Sequence, residues 1–162
     1  MQHFPIFLDL AGQRVIVAGG GEAALAKLRL LMKTTAQLEV FADQPATELE
    51  ALAQAGRIAL HSRALVAGDV TGARLVYGAA EDAAEDARIA AIARAEGALV
   101  NIVDNLEDSD YITPAIVDRD PVVVAIGTEG AAPVLARALK TDLEARLPVS
   151  LGLLARVGKA FR

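Results

Sequence analysis

Three consecutive glycines and two acids carry most of the chemical content of this sequence. Gly19-Gly20-Gly21-Glu22-Ala23-Ala24 fits the pattern G-x-G-x-x-A. It follows an apolar run, Arg14 to Ala18, and opens a stretch with helical periodicity. In such a segment Gly19 permits a tight turn, Gly21 lets the backbone approach a pyrophosphate, and Ala24 allows close helix–strand packing. Gly20, Glu22 and Ala23 complete the turn, where a helix N-terminus directs unpaired N–H groups at phosphates. The alternative is a tight turn without a ligand. Asp43 lies 22 residues beyond Gly21, where a ribose-binding acid closes the second strand. A helix cap is an equal alternative for it. No Arg adjoins Asp43, so NAD is expected over NADP. Asp104 ends Val100-Asn101-Ile102-Val103-Asp104, at the carboxyl edge of the expected sheet. Ligands bind at that edge, and an acid there can transfer protons; a loop cap is the other role open to it.

Composition narrows the chemistry. The chain has no Cys, which excludes disulfides, thiolate catalysis and thiolate-bound metal. His3 and His61 are its two histidines and have no metal-ligand spacing, so no bound metal is expected. Of the 162 residues 54% are hydrophobic but only 4% aromatic, with no Trp and a mean hydropathy of +0.38. Such a core is built from Ala, Val, Leu and Ile, which suits parallel strands between helices. The net charge of −5 argues against nucleic acid as a partner. Residues 1–110 hold 9 Lys and Arg against 16 Asp and Glu, whereas residues 111–162 hold 7 against 5. The last third is therefore the better place for a polyanionic ligand, unless the asymmetry is chance. The first ten residues show neither a basic leader nor a long apolar run. No signal peptide and no membrane span are expected, and the cytoplasm is the expected location.

The elements that position these residues follow from periodicity. Strands are expected at 14–18, 38–42, 57–62, 74–79 and 99–103, and helices at 22–33, from Pro45 onward and at 83–96. Asp43 or Gln44 would cap the second helix, and Gly97 would end the third. This alternation predicts an α/β fold, a Rossmann-type parallel sheet with helices on both faces. Residues 1–110 form that domain. Tyr111 to Arg119 and Val122 to Ile126 then read as a hairpin. They open a small α+β dimerisation segment over 111–147, with a helix at 132–147. A further helix over 150–161 starts a helical region at 148–162.

The start His3-Phe4-Pro5-Ile6-Phe7-Leu8-Asp9-Leu10, the glycine segment and Lys27-Leu28-Arg29-Leu30-Leu31 resemble one known family. So do Val100 to Asp104, Pro114-Ala115-Ile116-Val117-Asp118-Arg119 and Pro121 to Ile126. Ala132-Pro133-Val134-Leu135-Ala136-Arg137 completes the pattern, which covers essentially the whole chain. The family is the precorrin-2 dehydrogenase / sirohydrochlorin ferrochelatase module of siroheme synthase. The resemblance implies NAD-dependent oxidation of precorrin-2 to sirohydrochlorin, and in many members insertion of ferrous iron as a second substrate. It implies Asp104 as the catalytic Asp that handles protons, Thr128 beside the tetrapyrrole, and an intertwined homodimer. The tetrapyrrole carries many carboxylates. Arg119, Arg137 and Lys140 are then candidate clamps, with solvated surface charge as the alternative, and Asn101 a candidate substrate contact.

The chain departs from the family pattern at Ala26, at Ala80-Glu81 and at Gly127-Thr128-Glu129-Gly130. Glu129 adds negative charge beside a site for a polycarboxylate. These departures motivate a second reading, a non-catalytic NAD-binding regulatory or interaction module. A dehydrogenase for another small molecule is a third, against which the stretch from Asn101 to Arg119 argues.

Overall fold

Val15, Ile16 and Val17 have no exposed surface, as a run of β-branched residues in a strand covered on both faces requires. They lie in β1 (Arg14–Ala18), the centre of a five-stranded parallel sheet. With β2 (Gln37–Phe41), β3 (Ala59–His61), β4 (Ala73–Gly78) and β5 (Leu99–Ile102), the strand order is β3-β2-β1-β4-β5. The crossovers are α1 (Glu22–Leu31), α2 (Thr47–Gln54), a 3-10 turn (Ala67–Asp69) and α3 (Ala83–Ala95). The computed structural model describes residues 1–161. It shows two compact units, Phe4–Tyr111 and Met1–His3 with Ile112–Arg162.

Strand alternation decides which helix each side chain meets. Val15, Val17, Leu38, Val40 and Leu75 pack with Leu25 and Leu28 of α1 and Leu49 of α2. Ile16, Phe41, Val76 and Val100 point the other way, onto Ile89, Ala90 and Ala93 of α3. Each fully buried Val, Leu or Ile contributes roughly 1.5–3 kcal/mol. This is the expected Rossmann-type α/β architecture. Gly97 ends α3 in the left-handed conformation, at φ +76°, which favours glycine there.

One detail differs from expectation. The second helix starts at Thr47 with Ala46 at its N-cap, and neither Asp43 nor Gln44 caps it. The Ala46 N–H instead donates to the Gly20 carbonyl at 2.9 Å, which holds 43–46 as a loop against the glycine turn. The edge of β5 is closed by a loop. The Asp110 carboxylate accepts the Val100 N–H at 2.9 Å, and Ser109 Oγ accepts the Ile102 N–H at 2.9 Å. These bonds occupy edge donors that would otherwise be open to another strand.

In the other unit, β6 (Ala115–Arg119) and β7 (Val122–Ile126) form the expected antiparallel hairpin, followed by α4 (Pro133–Arg146) and α5 (Leu151–Ala160). Val117 pairs with Val124, and Ile116 with Ala125. Val117 therefore shares a face with Val122 and Val124, whereas Ile116 lies on the opposite one. Val117 is fully buried, and α4 packs on both strands, so this unit covers that face itself. A Cβ on Gly152 of α5 would collide with the Arg119 and Asp120 carbonyls, so the helix passes the turn at glycine.

Candidate functional site

The glycine turn is built by the strands around it. The Gly19 N–H donates to the Phe41 carbonyl at 2.9 Å, and Ala79 N–H to the Ala18 carbonyl at 2.7 Å. Gly19 has φ +148°, and a Cβ there would strike the Ala79 carbonyl; one on Gly20 would strike that of Gln44. Both glycines are thus demanded by the fold. Gly21 is different. It is the N-cap of α1, no side chain caps it, and the nearest atoms to an added Cβ belong to the Glu81 carboxylate. The first N–H groups of α1 face outward with the positive end of the helix dipole behind them.

This turn lines a cleft of about 670 Å³. Ala42, Asp43, Gln44 and Pro45 line it together with the apolar Leu65 and Ile89 and the acidic Asp82 and Glu85. Gly19, Gly20, Gly21 and Asp43 therefore meet in one place, with Glu22 and Ala23 in the turn above. An open helix end, a glycine without a Cβ and an exposed carboxylate at the end of β2 fit a dinucleotide. Arg88 feels the charge of Asp43, and Arg63 stacks over the Phe41 ring at the end of the same strand. Arg63 is held by Asp69 at 2.6 and 2.7 Å, and Arg88 by Glu85 at 2.6 and 2.7 Å. Both are engaged with carboxylates, which leaves the region acidic.

Asp104 stands at the carboxyl edge of the same sheet. It lies in a turn closed by the Asn105 N–H on the Ile102 carbonyl, at φ +58°, a conformation Asp tolerates better than most residues. Its exposed carboxylate accepts no hydrogen bond from the described residues. A neighbour that sequence reasoning missed is Lys27 of α1. Burial pushes the Lys27 ammonium down from its usual range, and the Asp104 charge partly restores it. Lys27 Nζ lies 5.7 Å from the centre of the Tyr77 ring, which meets Tyr111 edge-on at 5.7 Å. Burial holds the Tyr111 hydroxyl well above the usual phenol range, so it stays protonated. The family resemblance contained Lys27, but nothing in the spacing tied it to Asp104.

The remaining candidates are placed unevenly. Asn101 is buried, and its amide donates to the Tyr111 carbonyl at 2.8 Å. In the other unit Arg119 donates to the Leu147, Asp118 and Glu144 carbonyls at 3.0, 2.9 and 2.9 Å, capping the end of α4. Lys140 faces Glu144 at 3.8 Å, while Arg137 is exposed with no side-chain partner among the described residues. Thr128 is half-buried, and Glu129 accepts the N–H groups of Gln2 and His3 at 2.8 and 3.4 Å. Those amides hold the Glu129 carboxyl below its ordinary range and give its charge a partner within the fold. His61 stacks on Phe41 at 4.3 Å and approaches Glu39 at 3.3 Å. Among the described residues no group of three or more His, Cys, Asp or Glu is arranged to hold a metal, and no helix is long and apolar enough to cross a membrane.

Residues 6–115 match the family described as "Putative NAD(P)-binding". The chain belongs to that family. Over all 162 residues the chain is 45% identical to siroheme synthase of Chromobacterium violaceum, covering 34% of it. It is 40% identical to that of Pseudoalteromonas atlantica, covering 35%. The chain thus spans about a third of the length of the curated relatives it matches. Among solved structures, SirC, a precorrin-2 dehydrogenase, superposes with a TM-score of 0.79 at 25% identity, over 95% of this chain and 76% of that one.

Proposed function

We propose that this chain oxidises precorrin-2 to sirohydrochlorin with NAD⁺. The observation that carries this reading is that one sheet edge presents both an open glycine turn at α1 and a carboxylate, Asp104, that the fold does not use. Its likeness to siroheme synthases and to a precorrin-2 dehydrogenase supports the substrate. The bound dinucleotide supplies a hydride acceptor. The chain's own part is to hold the pyrophosphate at Gly19–Gly21, the ribose at Asp43, and the departing proton at Asp104. Precorrin-2 and NAD⁺ then give sirohydrochlorin, NADH and one proton. Arg137 is the cation best able to take a substrate carboxylate, since Arg119 is committed to α4. Asn101, Thr128 and Lys140 are the other contacts the resemblance suggests, each within its own unit. Iron insertion, which the resemblance also implies, would use Asp104 for the departing pyrrole protons, with ferrous iron as substrate.

The working form is proposed as a cytoplasmic homodimer. Leu154, Val157 and Phe161 are 68%, 48% and 87% exposed, a stripe of the kind that marks an interface. The test of function is anaerobic incubation with precorrin-2 and NAD⁺. Equal amounts of sirohydrochlorin and NADH are expected. NAD⁺ binding with no NADH formed would favour the non-catalytic module instead.

A further inference from the structure

Glu81 follows β4 in the left-handed conformation, at φ +59°. A non-glycine residue adopts it at a cost, so the surrounding chain must impose it. It is imposed from both sides. The Ala80 N–H donates to the buried Asp86 carboxylate at 3.0 Å, and the Asp82 side chain caps α3 by accepting the Glu85 N–H at 2.9 Å. Held this way, Glu81 turns its carboxylate toward α1. Its two oxygens lie 3.3 and 3.4 Å from the point where a Cβ on Gly21 would stand. No cation among the described residues pairs with this carboxylate. What it faces is the uncapped N-terminus of α1, beside a cleft whose charged lining residues are the acids Asp43, Asp82 and Glu85.

We propose that Glu81 sets the affinity of the cleft for its dinucleotide by competing with the pyrophosphate for the open end of α1. In the free protein the carboxylate crowds Gly21 without capping the helix, and the incoming pyrophosphate displaces it. The glycine turn therefore binds phosphate more weakly than its geometry alone would allow, and exchanges it more readily. The inference rests on the dinucleotide reading of the cleft, but the anion seat is tested separately.

Glu81→Gln keeps the shape and removes the charge; Glu81→Gly removes the side chain and adopts the positive φ without strain. Titration calorimetry of the three full-length proteins with inorganic pyrophosphate and with NAD⁺ gives the test. Both variants are expected to bind each ligand about fivefold more tightly than wild type at low salt, the gain shrinking as salt rises. Tighter pyrophosphate binding by the variants, with no NAD⁺ binding by any form, would uphold the competition and remove the dinucleotide reading. NAD⁺ binding that neither variant improves would overturn the competition and leave the dinucleotide reading intact. Absence of pyrophosphate binding in all three proteins would also overturn it.

Discussion

Lys27 Nζ lies 5.7 Å above the Tyr77 ring, on a helix that begins at the glycine turn, and it feels the charge of Asp104 at the end of β5. Burial and Asp104 act on this ammonium in opposite senses. Asp104→Asn removes the favourable charge, so Lys27 should deprotonate at lower pH in that variant. A ¹³C titration of the Lys27 side chain measures this. Identical titration curves in the two proteins would show that Asp104 does not reach Lys27.

Gly20 and Gly21 should respond differently to one added methyl group. Gly20→Ala drives a Cβ into the Gln44 carbonyl and should cost about 1–3 kcal/mol of stability. At Gly21 the added Cβ meets only the flexible end of Glu81. Gly21→Ala should therefore melt within about 2 °C of wild type and bind NAD⁺ about tenfold more weakly, while Gly21→Val should abolish binding. Thermal melts alongside calorimetry separate the two effects. A Gly21→Val protein with wild-type affinity would remove the pyrophosphate from this turn.

Acid stability should depend on Asp69. The Arg63 guanidinium holds its carboxyl at about 2, against 3.8 for an ordinary Asp. Between these values the unfolded chain binds the extra proton, so this stabilisation is full above about pH 4 and is lost as pH falls toward 2. Asp86 behaves oppositely. Burial raises its carboxyl, so over the interval above the ordinary value the folded protein holds the extra proton and stability declines as pH rises. In urea melts, Asp69→Asn should flatten the acid limb. Asp86→Asn, which keeps an acceptor for the Ala80 N–H, should gain on wild type as pH increases through that interval. A pH-independent difference for either variant would contradict these assignments.

The parallel sheet was legible because Val15–Val17 is apolar on both faces, and a strand between two helical layers uses such a run. The glycine turn, and the place of Asp43 in the same cleft, were legible from spacing within a strand–turn–helix context. The start of α2 was not, because the Gly20 carbonyl claims the Ala46 N–H, a contact between segments far apart in sequence. The same reason hides the other local surprises. Arg119 looks like a free cation until α4 brings its terminal carbonyls alongside. Glu129 looks like a misplaced charge until Gln2 and His3 supply their amides. Glu81 and Lys27 gain meaning only from what the sheet places beside them.

The α5 surface predicts assembly. Leu154 is 68% exposed, so Leu154→Lys should leave the fold of each protomer intact and shift the mass in solution from dimer to monomer. Light scattering at micromolar concentration checks it. A monomeric wild type would remove the homodimer, and an unchanged dimeric variant would move the interface away from α5.

Asp104→Asn tests the central claim most directly, because it keeps the shape of the side chain and removes the proton acceptor. Turnover of precorrin-2, followed as NADH, is measured beside the dissociation constant for NAD⁺. The account predicts that kcat falls by about 100-fold or more while NAD⁺ binds as in wild type. Unchanged turnover would take Asp104 out of the chemistry and contradict the account.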